Sequence, residues 1–97
     1  MASFILSIRY TAPAEAVDAL RGPHVEWLKA NHAAGHFIGW GRKVPLEGGI
    51  VLATGESVEA MQALANGDPF VTGGVAAVDV IEWKPSFLAP DIAGLAG

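Results

Sequence analysis

Residues 36–54, His36-Phe37-Ile38-Gly39-Trp40-Gly41-Arg42-Lys43-Val44-Pro45-Leu46-Glu47-Gly48-Gly49-Ile50-Val51-Leu52-Ala53-Thr54, hold two apolar runs separated by turn residues. Phe37, Ile38 and Trp40 stand among glycines, 50–54 is compact and apolar, and Pro45 and Gly48-Gly49 lie between the two runs. This pattern predicts strands at 36–43 and 50–54 joined as a hairpin. A hairpin at the centre of a short chain becomes diagnostic once its flanks are read.

Upstream, residues 3–10 alternate, with Phe4, Leu6, Ile8 and Tyr10 on one side and Ser3, Ile5, Ser7 and Arg9 on the other, as in a half-buried strand. Thr11-Ala12-Pro13 interrupts it, and 14–21 is rich in helix formers, with Val17 and Leu20 three apart. Gly22-Pro23 is expected to break that helix, and because proline suits the start of a helix, 23–34 reads as a second helical stretch ending at Gly35. Downstream, Ser57 can cap a helix over 58–65 that carries Met61, Leu64 and Ala65 and stops at Asn66-Gly67. Asp68-Pro69-Phe70 is a turn, and 75–83 alternates loosely up to a stop at Pro85.

The order β, α in two pieces, β, β, α, β is the split βαβ pattern of a ferredoxin-like α+β sandwich, with a four-stranded antiparallel sheet and helices on one face. Ile5, Ile38 or Trp40, and Ile81 or Trp83 fall on both sides of their strands, so the uncovered face is not clearly polar and is the expected surface of a homodimer. Residues 1–97 read as one domain, with 86–97 an arm that combines Phe87, Leu88, Ile92 and Leu95 with proline and glycine.

At 97 residues, 52% hydrophobic and 16% charged, the chain has ample apolar material for a core. Six Lys and Arg against ten Asp and Glu give a net charge of -4, with basic residues mostly single, so no nucleic-acid surface is expected. No cysteine is present, which removes disulfides, thiolate metal sites and cysteine nucleophiles and suits a cytoplasmic location. The apolar opening is too short and interrupted for a membrane segment. No membrane partner is expected.

Arg21-Gly22-Pro23-His24, Gly35, Ser57-Val58-Glu59-Ala60, Asp68-Pro69-Phe70, Gly74-Val75 and Trp83 together resemble the YCII-related proteins, from about residue 4 to 87. The specific part is R-x-x-H joined at the right distance to D-P-F. The resemblance implies a dimeric ferredoxin-like fold related to muconolactone isomerase and a His–Asp pair as active site. Some relatives act as dehydrochlorinases on chlorinated aromatic breakdown products. Trp40-Gly41-Arg42-Lys43 departs from the small and apolar residues expected in the second strand.

The residues support a site independently of that likeness. His24 follows Pro23 in the first turn of a helix, and a neutral imidazole there can act as a base. Asp68, just past the next main helix, can reach the same side of the sheet, fix the ring tautomer and stabilise the imidazolium. Both residues also have purely structural readings: His24 packed near Leu20 and Leu28, and Asp68 as the N-cap of one more helical turn. Capping and orienting a histidine are expected to use different carboxylate oxygens.

Arg21 can grip a carboxylate or enolate, or form a surface salt bridge; Trp40 and Phe70 are candidates to line a pocket for a flat ring. His32 and His36 have H-x-x-x-H spacing, but Gly35 should end the helix between them, so no metal site is expected. Gly39-Trp40-Gly41 lacks the third glycine of a dinucleotide cradle.

The expected function is therefore cofactor-free acid–base chemistry by His24 and Asp68 on a small cyclic or lactone-like acid. The alternatives are a non-catalytic module that holds a small ligand or a partner segment in the dimer pocket, and a cofactor-independent monooxygenase acting on a polycyclic aromatic.

Overall fold

The computed structural model describes residues 1–90. Its elements are β1 (Ala2–Tyr10), α1 (Ala14–Ala19), α2 (Arg21–Ala33), β2 (Phe37–Arg42), β3 (Gly48–Gly55), α3 (Val58–Ala65), α4 (Pro69–Thr72) and β4 (Ala76–Trp83). The strands form one sheet in the order β2-β3-β1-β4, and every neighbouring pair is antiparallel. This is the ferredoxin-like α+β fold expected from the element order. The alternating strand β1 and the compact apolar strand β3 take the central positions, where each can bond on both edges.

Alternation along β1 sorts its side chains. Phe4, Leu6 and Ile8 are at most 2% exposed and pack with Val51 and Ala53 of β3, Leu28 of α2, Met61 and Ala65 of α3 and Phe70 of α4. Each such fully buried side chain contributes roughly 1.5–3 kcal/mol relative to leaving it in water. On the other face, Leu52, Ile5 and Ile81 are in register across β3, β1 and β4, a short apolar row with Ile81 exposed.

Two local details differ from the expected pattern. The break between the first two helices falls at Leu20 (φ -107°, ψ 5°), so Arg21 begins α2 and Gly22-Pro23 lies inside its first turn. Proline is tolerated there because the first N–H groups of a helix have no intrahelical acceptor to lose. Arg21 and His24 consequently sit three apart on one helix, on neighbouring positions of one face.

The second difference is in β2. Phe37 pairs with Ala53 but Gly39 pairs with Leu52, so Ile38 is the additional residue of a β-bulge. Beyond it, Trp40 pairs with Val51 and Arg42 with Gly49, which places both on the helix-covered face together with Phe37. Strict alternation from Phe37 would have sent them to the opposite face.

Of the expected arm at 86–97, residues 86–90 continue past β4 without joining the sheet, and Phe87 is exposed. Residues 91–97 lie outside the described residues.

Gly48 closes the hairpin against β1, where a Cβ would stand 1.8 Å from the Ile8 carbonyl oxygen. That oxygen belongs to a central strand and cannot retreat without opening the β1–β3 ladder. Gly48→Ala should therefore lower stability by at least about 2 kcal/mol in urea unfolding. Gly22→Ala, with nothing within 4 Å of the added carbon, should leave it within about 0.5 kcal/mol.

Candidate active site

α3 ends at Ala65, and after Asn66-Gly67 the chain immediately starts a second, single-turn helix at Asp68-Pro69. Proline occupies the first helical position and Asp68 the N-cap, a pairing in which the side-chain oxygen meets an N–H that the helix itself leaves unbonded. Asp68 Oδ1 accepts from the Phe70 N–H at 2.9 Å. The same Oδ1 lies 2.7 Å from Nδ1 of His24.

The expectation that the two roles use different oxygens is thus corrected: one atom does both, and Oδ2 is buried without a hydrogen-bond partner among the described residues. The reason is the Phe70 ring, which stacks on the His24 imidazole with centroids 3.8 Å apart and planes 10° from parallel. The stack holds the imidazole close to the oxygen that the Phe70 N–H also holds.

Asp68 is 1% exposed and His24 9%. A carboxylate offers only acceptors, so the 2.7 Å contact puts the proton on Nδ1 of the histidine. Nε2 is then the nitrogen left to exchange a proton. Trp27 stacks more loosely on the same imidazole, at 5.9 Å and 28°. Between the carboxylate and the aromatic rings the imidazole has one orientation, the preorganisation that proton transfer requires.

A cavity of about 240 Å³ opens beside this ring. α2 supplies one wall, with Arg21, His24, Val25 and Leu28, and the sheet supplies another, with Trp40, Arg42, Gly49 and Val51. Ile8, Tyr10 and Phe70 also contribute. Arg21 is tied to Asp18 by two N–H donations to Oδ1, at 3.2 and 2.9 Å. The Asp18 carboxylate raises the Arg21 pKa above its ordinary value; burial opposes the effect and Tyr10 adds to it. The Arg21 guanidinium carbon also stands 5.9 Å from the Phe70 ring centroid.

All five residues singled out from the sequence are at this site: His24, Asp68 and Phe70 in mutual contact, Arg21 and Trp40 along the cavity walls. Phe70 is 1% exposed and lies against His24, whereas Trp40 is 42% exposed. Sequence reasoning missed Tyr10, Trp27 and Arg42. Trp27 was legible in principle, being three residues from His24 on a helix; Arg42 was hidden by the bulge. His32 donates from Nδ1 to the Phe37 carbonyl at 2.8 Å, and Gly35, at φ +89°, turns the chain between His32 and His36. Among the described residues no group of three or more metal-ligating side chains gathers, and no helix is long and apolar enough to cross a membrane.

A ferredoxin-like α+β domain with a buried histidine–carboxylate pair beside a ring-sized cavity is the class that fold and site define. The YCII-related domain matches residues 3–84, and the chain belongs to that family. Among solved structures, the chain resembles 5-chloro-2-hydroxyhydroquinone dehydrochlorinase (TftG) from Burkholderia phenoliruptrix AC1100, in complex with 2,5-dihydroxybenzoquinone. That match has a TM-score of 0.68 and 19% identity, and it covers 84% of this chain and 93% of that one. It also resembles the heme-degrader MhuD from Mycobacterium tuberculosis, with two hemes in its active site. Here the TM-score is 0.50 and the identity 24%, with 92% and 99% of the two chains covered. At these identities the likeness is one of fold. No curated protein matches the chain.

Removing the Asp68 side chain strands both the Phe70 N–H and the His24 N–H. Asp68→Ala should cost about 2–3 kcal/mol in urea unfolding, the sum of a lost cap and a buried unpaired donor. Long-range ¹H–¹⁵N spectra of the wild type should show the neutral His24 ring protonated at Nδ1, and a proton at Nε2 would contradict the pairing described.

Proposed function

We propose that this protein is an enzyme that moves a proton on a small cyclic, carbonyl-bearing acid, with His24 as general base and acid and Asp68 as its orienting partner. The observation that carries this reading is the 2.7 Å contact between His24 Nδ1 and a carboxylate that is 1% exposed, in a ring that lines a cavity. With Nδ1 committed, Nε2 takes the proton from a carbon next to the carbonyl, and the Asp68 carboxylate stabilises the imidazolium that results.

Two outcomes are open to the enolate. Return of the proton at another carbon gives isomerisation. Departure of an adjacent chloride with its electron pair, as a C=C bond forms, gives elimination, the type of reaction named for the Burkholderia dehydrochlorinase. Neither step requires more than a proton carrier, so the reading invokes no cofactor. Phe70 and Trp40 complete the proposed site, Phe70 holding the imidazole and Trp40 offering a face to the substrate ring, while Arg21, bound to Asp18, forms part of the cavity wall.

A cavity of about 240 Å³ suits one substituted ring, since an engineered cavity of about 150 Å³ accepts benzene. A hydroquinone- or lactone-sized substrate therefore has room there. The apolar row Leu52–Ile5–Ile81 on the open sheet face supports a homodimer formed through that face.

His24→Gln should lower kcat at least about 100-fold on chlorinated hydroquinones or unsaturated lactone acids, read as chloride release or as the change in ultraviolet absorbance, with little change in melting temperature. Unaltered turnover on a confirmed substrate would refute the role of His24. If instead the protein binds such rings without converting them, the non-catalytic binding module is the correct reading. Ile81→Lys should shift the protein from dimer to monomer in light-scattering chromatography, and an unchanged mass would exclude the open face as the interface.

A further inference from the structure

Arg42 is the feature of the cavity for which neither the acid–base pair nor the fold gives a reason. It stands on β2, an edge strand, and only the bulge at Ile38 turns it toward the helices. Its cross-strand neighbour is Gly49, followed on β1 by Ile8, so no side chain stands beside it on β3. Among the described residues its guanidinium has no ion-pair or hydrogen-bond partner, in contrast to that of Arg21, which is bound to Asp18.

The electrostatics are one-sided. The chain as a whole is acidic, at -4, yet among the described residues those lining the cavity include Arg21, Arg42 and His24 and no Asp or Glu. One of the two arginines is already neutralised by a carboxylate. The other, exposed at the edge of the cavity, presents an unanswered positive charge and a planar set of donors that matches the two oxygens of a carboxylate.

We infer that Arg42 is the specificity-determining residue of the cavity: it binds the anionic group of a single-ring organic acid and so selects a carboxylate-bearing ring over its neutral counterpart. Trp40, two residues back on the same face of β2, flanks the ring. Arg21 serves instead to pair with Asp18 and to stand over Phe70. The inference rests on the cavity being the substrate site proposed above, and it concerns binding rather than the proton transfer.

The test is the ratio of benzoate to benzamide affinity, two probes of one shape that differ in charge, measured by ¹H–¹⁵N titration that follows the Trp40 indole N–H and the Arg42 Nε–H. The wild type should prefer benzoate by about tenfold or more, as expected for a charge-assisted hydrogen-bonded pair. Arg42→Gln should abolish that preference by weakening benzoate alone, Arg42→Lys should restore part of it, and Arg21→Gln should leave it in place. A preference that survives in Arg42→Gln, one lost instead in Arg21→Gln, or absence of saturable benzoate binding at these resonances would overturn the assignment. His24→Gln separates this from the proposed chemistry. If it keeps the charge preference but loses turnover, both readings stand; if Arg42→Gln loses the preference while His24→Gln still turns over, only the acid–base role falls.

Discussion

A single carboxylate oxygen, Oδ1 of Asp68, ties the parts of the site together. It accepts from the first available N–H of α4 and from the imidazole of α2, so the cap of a one-turn helix and the orientation of a buried histidine are one interaction. Burying a carboxylate is costly unless it is paired and hydrogen-bonded. Here the two donors converge on one oxygen, and none of the described residues donates to Oδ2. The four-residue helix α4 can exist in this place only because its first turn is capped and its Phe70 ring is buried in the core.

This arrangement also explains why Phe70 belongs in any account of the site. Its N–H holds the carboxylate in place and its ring holds the imidazole, so backbone and side chain of one residue fix both members of the pair. The sequence Asp68-Pro69-Phe70 thereby acts as a unit. Proline fixes the backbone at the helix start, the aspartate caps, and the aromatic residue two positions after the aspartate turns back onto the histidine.

Much of the fold was legible in the sequence because its signals are local. Alternation in β1, capping residues at Ser57 and Asp68, and the proline and glycines of the hairpin each determine short-range geometry, and their order leaves one familiar topology. The His24–Asp68 pair could also be anticipated, since a split βαβ fold places both main helices on one side of the sheet. What could not be read was register. A bulge depends on how β2 lies against β3, not on β2 alone, and the presence of Ile38 as the inserted residue reversed the facing of Trp40 and Arg42. The start of α2 was displaced for a related reason: proline signals a helix beginning without fixing which residue of the first turn it occupies, and this decided whether Arg21 shares a helix with His24.

The bulged strand is bonded along one edge only. Its residues after Phe37 contribute little to the core, and Trp40 and Arg42 are exposed. Substitutions there can alter the shape and charge of the cavity wall while the central strands, α2 and α4, which carry the histidine and its carboxylate, are left undisturbed. A fold built in this way separates a framework that is expensive to change from a border that is cheap to change, so the wall of the cavity can vary by drift along a single margin while the buried pair is kept.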